Sequence, residues 1–103
     1  MAAYWIAHVT IHDPQQYRDY MALAPAAFTQ FNARFLARGG EAQTLEGERF
    51  EKHVVIEFSD YQTALACYHS DAYQRARQER LHVAEAMIAI VDGLDTAQTA
   101  LSP

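Results

Sequence analysis

The stretch Tyr4–Ile11 limits the possible folds more than any other part of the chain. Its side chains alternate at period two, with Trp5, Ala7, Val9 and Ile11 on one side and Tyr4, Ile6, His8 and Thr10 on the other. Both sides carry apolar residues, so a strand here needs cover on both faces. One layer of helices supplies only one. The chain has 103 residues, the size of one domain. A domain this short buries only ~60–70% of the surface its unfolded chain exposes. Half of the residues are hydrophobic and 12% are aromatic, enough for a core and too many for disorder. Small size with this much apolar surface points to burial of the second face in an oligomer.

His12-Asp13-Pro14 predicts a helix start, because Asp13 can accept from free backbone N–H groups and Pro14 has no N–H to lose. Tyr17, Tyr20, Met21, Ala24, Phe28 and Phe31 then fall on one helical stripe. Pro25 predicts a kink or break near Ala24, after which the stripe resumes in register. Arg34–Ala37 is a short extended run, Gly39-Gly40 a turn or bulge, and Glu41–Glu46 a second strand. Glu48–Lys52 reads as a solvated hairpin connection and His53–Phe58 as a strand with Val54, Ile56 and Phe58 on one face. Ser59-Asp60-Tyr61-Gln62 matches a capping box with Ser59 at the cap. Tyr61, Leu65 and Tyr68 are the expected apolar stripe of the next helix. Ser70 caps a further piece on which Tyr73, Ala76, Arg80, Val83 and Ala84 cluster, and Ala86–Val91 is the last strand. Residues 1–95 form the domain, and 96–103 a flexible tail.

Strand, helix, strand, strand, helix, strand with right-handed crossovers predicts an α+β, ferredoxin-like βαββαβ fold. Its four-stranded antiparallel sheet carries both helices on one face. The other face, with Ile6 and Val55, is suited to a sheet-to-sheet homodimer.

Asp13-Pro14 with Tyr17 and Tyr20, then Gly39-Gly40, Glu46-Gly47, Glu57-Phe58, Ala64, Tyr68, Ser70, Tyr73 and Arg80, form an ordered set over roughly residues 3–94. In that order and spacing the chain resembles the family called domain of unknown function 1330. The resemblance implies membership of the dimeric α+β barrel superfamily, in which two ferredoxin-like subunits join their sheets into one barrel. That superfamily includes cofactor-independent monooxygenases of polycyclic aromatics, haem-degrading enzymes, muconolactone isomerase and chlorite dismutase. What the resemblance implies is architecture, dimerisation and a pocket between sheet and helices, with no particular reaction.

Arg80 is the sharpest anomaly, a guanidinium among Tyr73, Ala76 and Val83. Either it pairs with a carboxylate or snorkels, or it anchors an anionic or carbonyl-bearing ligand. Glu57, in an otherwise apolar strand, is the candidate partner. The alternative is a general base of raised pKa, or a place on the dimer face out of reach of Arg80. Tyr17, Tyr20, Tyr68 and Tyr73 face the sheet as core or, together, as the lining of a pocket for a flat or aromatic ligand. His8 can meet Glu57 or Val55 across neighbouring strands and form an acid/base pair with Glu57, or be satisfied at a dimer interface. His12, His53, His69 and His82 read as surface residues.

The negative side is also informative. Eight basic and thirteen acidic residues give a net charge of −5, which disfavours nucleic acid. There is neither a polybasic membrane patch nor a spanning segment. No ligand spacing among the histidines supports a metal or haem, Gly39-Gly40 is no phosphate cradle, and no serine-triad signature occurs. The expected cofactor is none. Cys67 excludes an internal disulfide and fits a reducing compartment, the cytoplasm, where it reads as a packed residue and not a nucleophile. Two functions stay open. One is a non-catalytic small-molecule-binding module. The other is a cofactor-free enzyme in which Arg80 holds a small aromatic or carboxylated substrate while His8 or Glu57 moves a proton.

Overall fold

A computed structural model describes residues 1–94. The expected tail, 96–103, lies outside them. The elements run β1 Ala3–Ile11, α1 Pro14–Gln30, β2 Arg34–Arg38, β3 Lys52–Phe58, α2 Tyr61–His69, α3 Asp71–Arg80 and β4 Ala84–Asp92. The strands form one antiparallel sheet in the order β2-β3-β1-β4. This is the expected ferredoxin-like α+β arrangement, with the second helix in two pieces.

The alternation of β1 sets the layers. Ala3, Trp5, Ala7 and Val9 are buried together with Ile56 and Phe58 of β3, under Tyr17, Ala24, Ala27 and Phe28 of α1 and Ala64, Cys67, Tyr73 and Ala76 of α2 and α3. On the opposite face Ile6 lies between Val55 and Ala89, and Met87 and Val91 are exposed. No helix of the described residues covers that face. Trp5 sits at the centre of the covered side. Its ring centroid is 4.8 Å from Tyr73, 5.0 Å from Phe28, 5.7 Å from Tyr68 and 6.1 Å from Phe58.

Local chemistry explains most element ends. The Gln16 N–H donates to Asp13 Oδ1 at 3.1 Å, with Pro14 in the first turn of α1, as expected. The helix then runs unbroken through Pro25, so the break allowed for near Ala24 does not occur. The Ser70 hydroxyl accepts from the Tyr73 N–H at 3.1 Å and donates to the Cys67 carbonyl at 2.7 Å. One side chain thus closes α2 and opens α3.

Several expectations are corrected. Residues 41–46 form no strand. β2 is the preceding run, and it stops at Gly39, which adopts a left-handed φ of +71° that favours glycine. The only large apolar side chain in 41–46, Leu45, is 82% exposed, so this run has no apolar face to bury. Asp60, not Ser59, caps α2, accepting from the Thr63 N–H at 2.7 Å. The helix begins one residue later than a Ser59 cap requires, and aspartate caps as well as serine. Its buried stripe is Ala64 and Cys67, with Tyr61 exposed. β4 starts at Ala84, which the sequence pattern places with the helix.

Trp5→Ala removes the ring at the centre of this packing and should cost about 3–5 kcal/mol, the usual loss for a buried aromatic. Urea unfolding followed by circular dichroism measures it. A loss below about 1 kcal/mol would show that Trp5 does not organise the core.

Candidate functional site

The candidate site begins with two residues seven apart on α3. Two helical turns put Tyr73 and Arg80 on the same side, facing α1 and the sheet. Tyr73 is wholly buried and Arg80 is 6% exposed. The Arg80 Nη2 group donates to the Tyr73 hydroxyl at 3.3 Å. That hydroxyl is 3.0 Å from the Tyr20 hydroxyl, and the guanidinium carbon lies 5.4 Å from the centre of the Tyr20 ring, within cation–π range. The Arg80 Nε atom is buried without a hydrogen-bond partner among the described residues.

No carboxylate among the described residues neutralises this charge. Among the described residues the ion pairs are His12 with Glu85 and Arg34 with Glu57. The candidate Glu57–Arg80 pair therefore does not form. Glu57 lies between the inward-facing Ile56 and Phe58, so its side chain points to the open face, where Arg34 Nη2 meets it at 3.3 Å. The candidate His8–Glu57 pair is also absent. His8 is opposite His53, whereas Glu57 is opposite Tyr4, four residues or about 13 Å further along the strand. His8 Nδ1 instead lies 2.8 Å from His53 Nδ1, so one ring donates and the other accepts. His53, expected on the surface, is thus a cross-strand partner.

Between α1, the Arg80 end of α3 and the sheet lies a cleft of about 50 Å³. Trp5, Val54, Ile56 and Ile88 form its floor, Tyr17, Tyr20, Met21, Pro25 and Phe28 its helical wall, and Arg80, Arg38 and Lys52 its charged groups. Of the four candidate tyrosines, Tyr17 and Tyr20 line it. Tyr73 stands behind, holding Arg80 and Tyr20. Tyr68 packs on Trp5 and Tyr73 and borders a separate shallow depression on the other side of Arg80.

Arg38 and Lys52 escape a reading of the sequence. Lys52 reads in the sequence as part of a solvated connection, yet the phase of Val54, Ile56 and Phe58 extends back to it. Arg38 was not visible in this way. A register shift between Phe35 and Ala37 places it opposite Val54, and a bulge of this kind cannot be read from alternation.

Burial raises the Tyr17 and Tyr20 phenols above the usual tyrosine value, an effect that the Arg80 charge only partly offsets. Burial opposes the charge on Arg80 most strongly, but the surrounding Tyr73, Tyr20 and Tyr17 outweigh it and hold its pKa above the ordinary value. The guanidinium is therefore positive and the two phenols are neutral donors. Burial also pushes the Cys67 thiol up to about 12, consistent with a packed residue. The site thus offers a fixed positive charge and phenolic hydroxyls at the end of an apolar slot.

This sheet order and helical cover define a ferredoxin-like domain. The family model described as Domain of unknown function (DUF1330) matches residues 2–94, and the chain belongs to that family. No curated protein matches it. Among solved structures it is similar to a protein of unknown function from Rhodopseudomonas palustris, at 13% identity over 91% of this chain and 83% of that one, with a TM-score of 0.73. It is similar also to a dimeric ferredoxin-like protein of unknown function from Jannaschia sp. CCS1, 11% identical over 90% of this chain and all (100%) of the other, TM-score 0.69. A third is SnoaB, a cofactor-independent oxygenase from Streptomyces nogalater, 10% identical over 91% of this chain and 94% of that one, TM-score 0.60. At these identities the likeness is one of fold. No helix among the described residues is long and apolar enough to cross a membrane.

The raised thiol and phenols make stability fall in alkali. Their ordinary values are 9.0 for Cys67 and 10.0 for Tyr20. Above these the unfolded chain releases protons that the folded chain retains, so the stabilisation is complete below pH 9 and declines as pH rises towards 12. Lys52, lowered by burial and by Arg38, acts in the opposite sense but is one group against three. Urea midpoints at pH 8, 9.5 and 10.5 should decrease in that order; a flat profile would contradict the burial of these groups.

Proposed function

We propose that this chain is a homodimeric small-molecule-binding protein whose cleft takes a small carboxylate- or carbonyl-bearing ligand, with Arg80 as the anchor. The observation that carries this reading is a guanidinium 6% exposed, with Nε unpartnered and no carboxylate beside it among the described residues. A buried cation of this kind is costly when left uncompensated, and an oxygen acceptor from a ligand would satisfy it. Tyr17 and Tyr20, protonated at all ordinary pH, supply further donors. The 50 Å³ of the cleft is well below the ~300 Å³ of a typical ligand pocket, which favours a small ligand over a polycyclic one.

The open face supports the dimer. It presents Ile6, Val55, Ala89, Met87 and Val91 in adjoining rows, and similar solved structures are described as dimeric. Binding is preferred to catalysis because His8 and Glu57 project from that face and not into the cleft with Arg80. The oxygenase activity of SnoaB keeps a cofactor-free reaction on the bound ligand as the alternative. In that case the phenols next to Arg80 are the donors available to a developing oxyanion.

Trp5 is the single tryptophan and lines the cleft, so its fluorescence reports occupancy. Titration with crotonate should change its emission saturably in the wild type and not in Arg80→Met. Since Arg80 has no ionic partner to orphan among the described residues, the same variant should unfold at an equal or higher urea concentration. A collapse of stability would instead assign Arg80 a structural role. Sedimentation at micromolar concentration should give a dimer, and a stable monomer would overturn that part of the proposal.

A further inference from the structure

The cleft holds three cations and no acid. Arg38, Lys52 and Arg80 line it, and no aspartate or glutamate among the described residues does, in a chain whose net charge is −5. The three come from different elements, the end of β2, the start of β3 and the end of α3. None of them belongs to the ion pairs formed among the described residues. Long basic side chains at a cleft mouth normally extend into water, but Arg38 and Lys52 are held over aromatic rings. The Arg38 guanidinium carbon lies 4.3 Å from the centre of Phe35, and Lys52 Nζ 5.6 Å from that of Tyr17, both rings of the cleft lining. Burial and the neighbouring Arg38 charge hold the Lys52 ammonium below its ordinary value, so repulsion at this mouth is unrelieved.

We propose that the ligand is a compact dianion with two separated poles, one acidic group at Arg80 and the other at Arg38 and Lys52, with an apolar span between them. This rests on the reading of Arg80 as a ligand anchor. The span follows from the apolar side chains of Val54, Ile56 and Ile88 on the sheet side of the slot. A dicarboxylate has this form. A phosphate has the charge but concentrates it at one pole.

The test is a Trp5 fluorescence titration of the intact protein at low ionic strength. Fumarate and adipate are compared with their single-charge counterparts crotonate and hexanoate, and with inorganic phosphate. The expected result is that the better-fitting dicarboxylate binds at least about tenfold more tightly than its counterpart, a typical return on added charge complementarity. This margin should shrink with added salt and be abolished in Arg38→Gln combined with Lys52→Gln. Equal affinity for mono- and dicarboxylates overturns this inference and leaves the Arg80 anchor standing, as does a margin that persists in the double variant. Phosphate binding as tightly as the best dicarboxylate overturns the two-pole form. If none of the acids binds, the anchor and the dianion are overturned together.

Discussion

The pleat of β1 governs the distribution of chemistry in this protein. β1 is hydrogen-bonded along both edges, to β3 and β4, and its side chains leave alternately to two faces. Every residue opposite it inherits the same division. Trp5, Ile56 and Ile90 share one side and Ile6, Val55 and Ala89 the other. A shift of one residue would exchange the two sets, which the packing of Trp5 against four rings forbids. Arg80 with its tyrosines is therefore separated by the thickness of the sheet from the His8–His53 pair and the Arg34–Glu57 pair. Two polar groupings that a linear sequence leaves free to combine are kept apart by the backbone.

That separation explains which features were legible in the sequence. Alternation identified β1, β3 and the covered face, and the Asp13-Pro14 and Ser70 caps worked as their chemistry requires, because each depends on residues a few positions apart. The anomaly of Arg80 was legible for the same reason, since Tyr73, Ala76 and Val83 lie within two turns of it. Its partners were not. Whether Glu57 reaches Arg80 depends on which face β3 turns towards α3, and whether His8 meets Glu57 or His53 depends on register. Arg38 needed the bulge in β2 as well. The failure at 41–46 differs in kind, because β-like spacing was inferred there without an apolar face to bury.

The electrostatic character of the cleft is unusual in its components. Buried arginines are ordinarily compensated by carboxylates, whereas here neutral phenols stand around the charge. Such a cage holds the guanidinium in position through one hydrogen bond and the face of the Tyr20 ring, but cancels none of its charge. The positive potential remains directed into the slot, and the aliphatic sheet side gives it little dielectric screening.

Pro25 has a mechanical consequence. Lacking an amide hydrogen, it leaves the Met21 carbonyl four residues earlier without its helical donor, and both Met21 and Pro25 form part of the cleft wall. The continuous α1 therefore has its weakest turn where it borders the cavity. Local openings begin where backbone bonds are fewest, and this turn lies in the cleft wall. The cleft is thus bounded on one side by a turn of α1 that lacks one backbone hydrogen bond.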